Sequence, residues 1–344
     1  MRQKPQNTKD QPRRLEIVGV GNPVVDLISP IEEGFLKRLG VKEGGMGLIT
    51  PEEAGRIWAG IKGWKISAGG SVANTMAALG MLGVGSGFVG SIGRDRFGRF
   101  FQKEMASCGV ECLLIEERLP TARSFVLISR DGERTMLTSL GAAKVLRCTH
   151  LPSIISFIKN ACIVYIEGYL MDGDDGEPVV KGVAEAAASG GVKVVIGLSD
   201  ARCVERHKTF LKELVSSING GVILANEEEA AAFFGSHGIS ATIARCAEQS
   251  DWTWVVTRGE RGSIIVQGGR ALKIKANKAE EVVNTTGAGD MYAAGILYGF
   301  ATGRDPYTSG EMGSFLASAV LTRHSARVDA DTITEFRNRF NEFF

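Results

Sequence analysis

Strand and helix patterns that alternate from about residue 150 onward predict an α/β protein with a doubly wound, mainly parallel sheet flanked by helices. Two further observations shape that expectation. Glycine accounts for 44 of 344 residues, nearly twice the usual share of roughly 7%, and the glycines cluster where strand hands over to helix. Two apolar stretches, residues 124–128 and 135–138, flank Asp131-Gly132, a hairpin signal that predicts a small second sheet.

The elements follow in order. Ile17-Val-Gly-Val20 reads as a strand that ends in Gly21-Asn22-Pro23, where proline forbids an immediate long helix. Apolar spacing predicts helices near 31–39 and 51–61, and it puts Val72, Met76, Leu79 and Leu82 on one face of a helix over 71–82. Phe88-Val89 reads as strand and residues 97–106 as helix. The small sheet is expected from about 25–50 and 111–140. Strands over 163–166, 192–198, 221–224 and 252–257 then alternate with helices over 179–188, 204–215 and 227–234, which implies parallel strands joined by crossover helices. Helices over 288–300, 310–323 and 331–344 close the chain.

Composition excludes several classes of function. With 40 basic and 39 acidic residues the net charge is +1, so no overall field draws the protein to nucleic acid or to a membrane surface. Residues 65–94 are free of charge inside their two ends, but Gly69 to Gly93 alone holds eight glycines with Ser71, Asn74, Thr75, Ser86 and Ser91, which fits helix and loops in a soluble core better than a membrane span. The first 14 residues carry five positive charges and one negative with no apolar run after them, the pattern of a disordered basic leader and not of a secretory signal. Six scattered cysteines form no CxxC pair and read as buried reduced thiols, and four distant histidines lack metal-ligand spacing.

The stretch Val283-Asn-Thr-Thr-Gly-Ala-Gly-Asp-Met-Tyr292 runs a glycine-rich turn straight into a helix. The N–H groups of Gly287, Ala288 and Gly289 would converge in front of a positive helix end, which makes an anion site. Asp290 at the same end is out of place if the site only binds phosphate, and makes sense if its carboxylate faces an incoming hydroxyl as a general base. The plainer alternative is that Asp290 caps its own helix. Upstream, Gly69 and Gly70 would let a ligand ring approach the backbone, Asn74 both donates and accepts, and Asp26 is either a bidentate acceptor for vicinal hydroxyls or a turn residue. Asn226 and Glu229, at a strand-to-helix junction, share a face towards the carboxyl end of the sheet. Glu227 and Glu228 read as solvated. Arg123, Arg130 and Arg134 read as the wet face of the hairpin.

Thr285-Thr-Gly-Ala-Gly-Asp290 resembles the C-terminal signature of the PfkB, or ribokinase-like, carbohydrate and nucleoside kinases, and Gly69-Gly70-Ser-Val-Ala-Asn74 resembles their N-terminal signature. Gly19-x-Gly21-Asn22 to Asp26, Gly90-x-x-Gly93-x-Asp95-x-x-Gly98, Asn226-x-x-Glu229 and Thr257-x-Gly259-x-x-Gly262 are similar to further landmarks, so the resemblance covers about residues 15–340. It implies a ribokinase-like domain over 15–344 with a β lid, ATP as phosphoryl donor and Mg²⁺ as its metal. It also implies that Asn22, Asp26, Gly69, Gly70 and Asn74 bind substrate, that Asn226, Thr257, Gly259, Gly262 and Thr286 contact ATP, and that Glu229 orients waters of the Mg²⁺ ion. Many members carry Asp where this chain has Asn284, so a monovalent cation would be left with backbone carbonyls near Asn284 and Thr286.

The expected activity is ATP-dependent phosphorylation of a primary hydroxyl. Gly21-Asn22-Pro23, Leu198-Ser-Asp200 and Cys203 to His207 look most like the adenosine-kinase-like branch. A sugar kinase acting on fructose, ribose or a related sugar is the alternative, and a non-catalytic nucleoside or sugar binder is a third reading that Asp290 opposes. A dinucleotide fold fails at its third glycine, since residue 24 is Val, and GxxxxGK[ST] is absent. A cytoplasmic monomer or homodimer with a small-molecule partner is expected.

Overall fold

The computed structural model describes residues 15–41, 43–130, 132–323 and 325–340. The expected basic leader, Asp131 of the hairpin signal and the last four residues of the closing helix lie outside them. The amino-terminal part runs β1 (Ile17–Val20), β2 (Val24–Pro30), α1 (Phe35–Leu39), β3 (Gly45–Leu48), α2 (Pro51–Gly60), β4 (Lys65–Gly69), α3 (Ser71–Leu82), β5 (Ser86–Gly93), α4 (Arg96–Ser107), β6 (Val110–Glu117), β7 (Ala122–Ile128) and β8 (Arg134–Ser139). The remainder runs α5 (Leu151–Ile158), β9 (Ile163–Glu167), α6 (Gly176–Ser189), β10 (Lys193–Gly197), α7 (Ala201–Arg206), α8 (Lys208–Ser217), β11 (Gly221–Asn226), α9 (Glu227–Phe234), α10 (Ile239–Glu248), β12 (Trp252–Thr257), β13 (Ser263–Gln267), β14 (Arg270–Ile274), α11 (Ala288–Ala301), α12 (Pro306–Leu321) and α13 (Ala330–Phe340).

The large sheet has nine strands in the order β14-β13-β12-β11-β10-β9-β1-β5-β6. From β6 to β12 every neighbouring pair is parallel, and only β13 and β14 pair antiparallel. The chain leaves β1 first towards β5 and β6 and later returns on the other side through β9, so the order reverses between β1 and β9. At such a switch point the loops after adjacent strands diverge and open a crevice at the carboxyl ends.

Each face of this sheet carries its own apolar core. One is filled by α3, α11, α12, α13 and part of α4, the other by helices α5 to α10. Helices α3 and α11 are buried nearly all round, including every residue from Val72 to Gly80 and from Met291 to Gly299. This is why the uncharged run 65–94 needs no membrane: a helix apolar on every side suits a place between other elements. Among the described residues no helix is long and apolar enough to cross a membrane.

The small sheet has five strands in the order β3-β8-β7-β2-β4, and its composition corrects the expected boundaries. Residues 110–117 pair in parallel with β5 at the edge of the large sheet, because the short turn after α4 completes a β-helix-β crossover. Lys65–Gly69 joins the small sheet in their place, antiparallel to β2. Gly132 N–H closes the hairpin by donating to Ser129 O at 2.9 Å. Arg123 is not on a wet face; it packs over the rings of Phe97 and Phe125, 5.7 and 5.9 Å from their centres. Asp95 braces the two sheets together: its carboxylate caps α4 through Phe97 and Gly98 N–H and accepts from Thr121 N–H and Oγ1.

Other local expectations shift for visible reasons. The helix expected over 204–215 is two helices that meet at His207, whose backbone N–H donates to Cys203 O and closes α7. All six cysteines are free, but of the expected buried thiols only Cys203 and Cys246 are buried; Cys108, Cys112 and Cys148 are partly buried, and Cys162, just before β9, is exposed.

Candidate active site

Two helices begin side by side at the crevice. The turn before α3 places Gly70 at φ 98°, where a Cβ would stand 2.2 Å from the Asn22 carbonyl oxygen, and the turn before α11 places Gly287 at φ 85°, where a Cβ would stand 2.3 Å from the Ala326 carbonyl oxygen. Only glycine allows both the left-handed φ and the close approach. Ser71 and Asn74, three residues apart on α3, therefore share a face that meets the first turn of α11.

There Ser71 Oγ donates to Asp290 Oδ1 at 2.6 Å and Asn74 Nδ2 donates to Asp290 Oδ2 at 2.9 Å, while Thr75 Oγ1 donates to the Asp290 carbonyl at 3.0 Å. Asp290 does not cap its own helix; both carboxylate oxygens are held by α3. Burial pushes its pKa up to about 6, with the Ser71 and Asn74 hydrogen bonds and the charge of Arg327 working in the opposite direction. A carboxylate oriented by two donors and titrating close to neutrality has the properties of a general base.

The glycine turn presents its amides unequally. Met291 N–H makes the first helical bond, to Gly287 O at 2.9 Å, and Ala288 N–H turns back to Thr285 O at 3.3 Å. Gly289 and Asp290 lie ahead of the first bond with no intrahelical partner for their N–H groups, and a Cβ added to Gly289 would meet no atom within 4 Å. Of the expected amides, Gly289 is thus the best placed to meet an anion.

Asp26, on β2 beside β4, lies against Gly69, whose missing side chain makes room: a Cβ there would be 2.3 Å from Asp26 Oδ2. Burial pushes the Asp26 pKa up to about 7, Arg327 pulls it down, and Asp290 adds to the rise. Asn22 is buried, and its backbone N–H donates to Glu167 Oε2 at 3.3 Å.

Glu167 and Arg327 escaped the reading of the motifs. Glu167, the last residue of β9, is only 2% exposed; its Oε2 also accepts from Val72 N–H at 3.2 Å and so caps α3 from across the switch point. Burial raises its pKa to about 7 against these hydrogen bonds. Its signal in the sequence was an acidic residue at the carboxyl end of an apolar strand, where α/β ligand sites form. Arg327, in the loop after α12, donates from Nε to Asn74 Oδ1 at 2.8 Å. It lies in no motif.

Farther along the same sheet edge, Asn226 and Glu229 form a reciprocal cap at the start of α9. Glu229 N–H donates to Asn226 Oδ1 at 2.8 Å, and Asn226 donates to Glu229 Oε2 through its backbone N–H at 3.0 Å and to Oε1 through Nδ2 at 2.6 Å. Glu229 is buried, and burial raises its pKa to about 7. The pair offers oxygen donors alone, which suits a hard cation; with both carboxylate oxygens already accepting from Asn226, contact through water fits better than direct ligation. Glu227 is not simply solvated, since it pairs with Arg258 and Arg261 at 3.4 and 2.7 Å. Thr257 Oγ1 donates to Ala225 O at 3.4 Å, and Gly259 and Gly262 turn the chain at φ 56° and 80°. Thr286 N–H donates to the side-chain oxygen of buried Asn284 at 3.0 Å. Strands β9 and β11, which end in Glu167 and Asn226, run parallel on either side of β10, so the two groups of residues lie at the carboxyl ends of the same sheet.

The description "pfkB family carbohydrate kinase" matches residues 59–333. The adenosine kinase of Saccharomyces cerevisiae is 26% identical over 322 residues, which are 88% of this chain and 93% of that protein. Among solved structures, adenosine kinase from Sinorhizobium meliloti superposes with a TM-score of 0.84 at 29% identity, covering 95% of this chain and 99% of that one. A probable sugar kinase from Rhizobium etli superposes with a TM-score of 0.85, also at 29% identity, covering 96% and 99%. Matched over most of its length, and with a held carboxylate beside open helix-end amides at the switch point, the chain belongs to the pfkB family of carbohydrate kinases and is a phosphotransferase that acts on a hydroxyl group.

Proposed function

We propose that this protein transfers the γ-phosphoryl group of ATP to a primary hydroxyl of a nucleoside, with adenosine as acceptor and AMP as product. The observation that carries the reading is Asp290, held by Ser71 and Asn74 next to Gly289, whose N–H lies ahead of the first helical bond. Asp290 takes the hydroxyl proton as the acceptor oxygen bonds to the γ-phosphorus; the bond from that phosphorus to the β,γ-bridging oxygen breaks and ADP leaves. The amide of Gly289 stabilises the charge on the transferred group, and Gly287 and Ala288 shape the turn that presents it. Asn22, Asp26, Gly69, Gly70 and Asn74 position the acceptor hydroxyls, and Asn226, Thr257, Gly259, Gly262 and Thr286 bind ATP. Glu229 would orient waters of a Mg²⁺ ion, which when bound would supply charge neutralisation for the phosphates. The small sheet covers the acceptor and limits its exposure to water.

Adenosine is favoured by similarity to adenosine kinases from yeast and Sinorhizobium meliloti. A sugar acceptor is the second reading, since the probable sugar kinase from Rhizobium etli superposes equally well. The deciding assay is Mg·ATP-dependent ADP formation against adenosine, other nucleosides, ketoses and pentoses, with Asp290→Asn as control. Adenosine giving the highest kcat/KM supports the reading in full. A ketose or pentose in first place keeps the chemistry and overturns the acceptor, and turnover undiminished in the control overturns the chemistry.

A further inference from the structure

The loop between α12 and α13 has no motif, yet it closes on both halves of the base. Its Ala326 carbonyl abuts Gly287, at the turn that starts α11, and its next residue reaches α3. Arg327 Nε donates to Asn74 Oδ1 at 2.8 Å, and the same amide group donates from Nδ2 to Asp290 Oδ2 at 2.9 Å. An Asn amide can flip; here its oxygen is claimed by a guanidinium that only donates, so the nitrogen must point at the carboxylate. The other end of the guanidinium is packed, with Nη2 3.6 Å from the Met105 sulfur.

We infer that Arg327 is a positioning residue for phosphoryl transfer: through Asn74 it aims Asp290 at the acceptor hydroxyl, and its charge offsets the partly buried carboxylates of Asp26 and Asp290. This rests on the reading of Asp290 as general base. The groups that face Asp290 are Ser71 and Asn74 from α3, Asp26 from β2, Tyr165 and Glu167 from β9, and Arg327 itself. Glu104 and Cys108 at the end of α4 also face Arg327. Of the groups facing Asp290, Arg327 brings the positive charge. Without it, Asp290 meets Asp26 and Glu167 with only neutral donors, and the proton is held more tightly.

The test uses Arg327→Gln and Arg327→Lys in the full chain, with two independent readouts. The first is the carboxyl titration of Asp290 in the resting protein, followed by carbon NMR of aspartate-labelled protein and assigned by its absence in Asp290→Asn. The second is the pH profile of kcat and KM. Arg327→Gln is expected to move the Asp290 midpoint and the acid limb of kcat/KM upward together by about one pH unit. It should lower kcat about tenfold or more while the acceptor KM changes less than about threefold. Arg327→Lys, which keeps charge but loses the fork, should recover much of the midpoint and less of the rate. An unmoved Asp290 midpoint in both folded variants overturns the inference, as does an effect confined to the KM for ATP, which would mark Arg327 as a phosphate contact. If Arg327→Gln does not fold, the lysine variant decides alone: a wild-type midpoint together with a lowered kcat supports the aiming role, and wild-type kcat overturns it. Wild-type turnover by Asp290→Asn would instead remove the general-base reading, and the NMR titration would still show whether Arg327 governs this carboxylate.

Discussion

The two ends of the crevice are built in different ways. Around Asp290 the contacts come from far apart in the chain: Ser71 and Asp290 are separated by 219 positions, Asn74 and Arg327 by 253, and Val72 and Glu167 by 95. Around α9 the functional pair is local, since Asn226 and Glu229 are three positions apart and satisfy each other. A local cap forms wherever the helix forms. A constellation assembled from α3, β9, α11 and the loop after α12 exists only when the whole core is packed, whereas burial raises carboxylate pKa values at both ends, on Glu167 and Asp290 as on Glu229.

The sharpest way to break this contrast is at its centre. Asp290→Asn keeps the shape and should lower kcat by about 10² to 10⁴, while calorimetry shows acceptor affinity within a few-fold of wild type. A variant within tenfold of the wild-type rate would end the assignment of Asp290 as base.

Glu167→Gln probes what the distant assembly does to stability. Burial lifts Glu167 from 4.5 to about 7, so the folded protein holds a proton that the unfolded chain has already released between those values. Stability from this group is full below about pH 4.5 and declines as the pH rises to about 7. Glutamine keeps an oxygen for the Val72 and Asn22 N–H groups and has no charge to bury. The variant should therefore be more stable than wild type at pH 8, by about 2 kcal/mol in urea unfolding, with the advantage vanishing near pH 4. Lower stability at pH 8 would show that the carboxylate is held by more than those two amides.

The smallest effect belongs to the local end. Asn226→Ala removes the helix cap and should lower stability by about 1 kcal/mol, with KM for ATP rising and the acceptor KM unchanged. A change in acceptor KM as large as that for ATP would mean that the two ends are not separable.

Much of the site was legible because its motifs are backbone devices. Gly70 and Gly287 mark turns that no other residue permits at those approaches, each leads into a helix that carries the side chains that matter, and Gly69 leaves room for Asp26. Asp290 could be named, but whether it served its own helix or another group depended on which helix lay beside it. Glu167 was visible only as an acid at a strand end, and Arg327 had no local signal at all.

The small sheet shows the same limit. Its hairpin was plain in residues 124–138, whereas the edge strand Val110–Glu117 went to the large sheet and Lys65–Gly69 to the small one, a choice made by crossover geometry and not by the strands' own apolar patterns. What the chain of amino acids determined alone was the alternation that builds a parallel sheet, the glycine turns, and the chemistry of the residues that follow them. Tertiary structure decided which carboxylates come together and which arginine and amides face them, because burial and charge act through space between residues that periodicity and spacing along the chain do not relate.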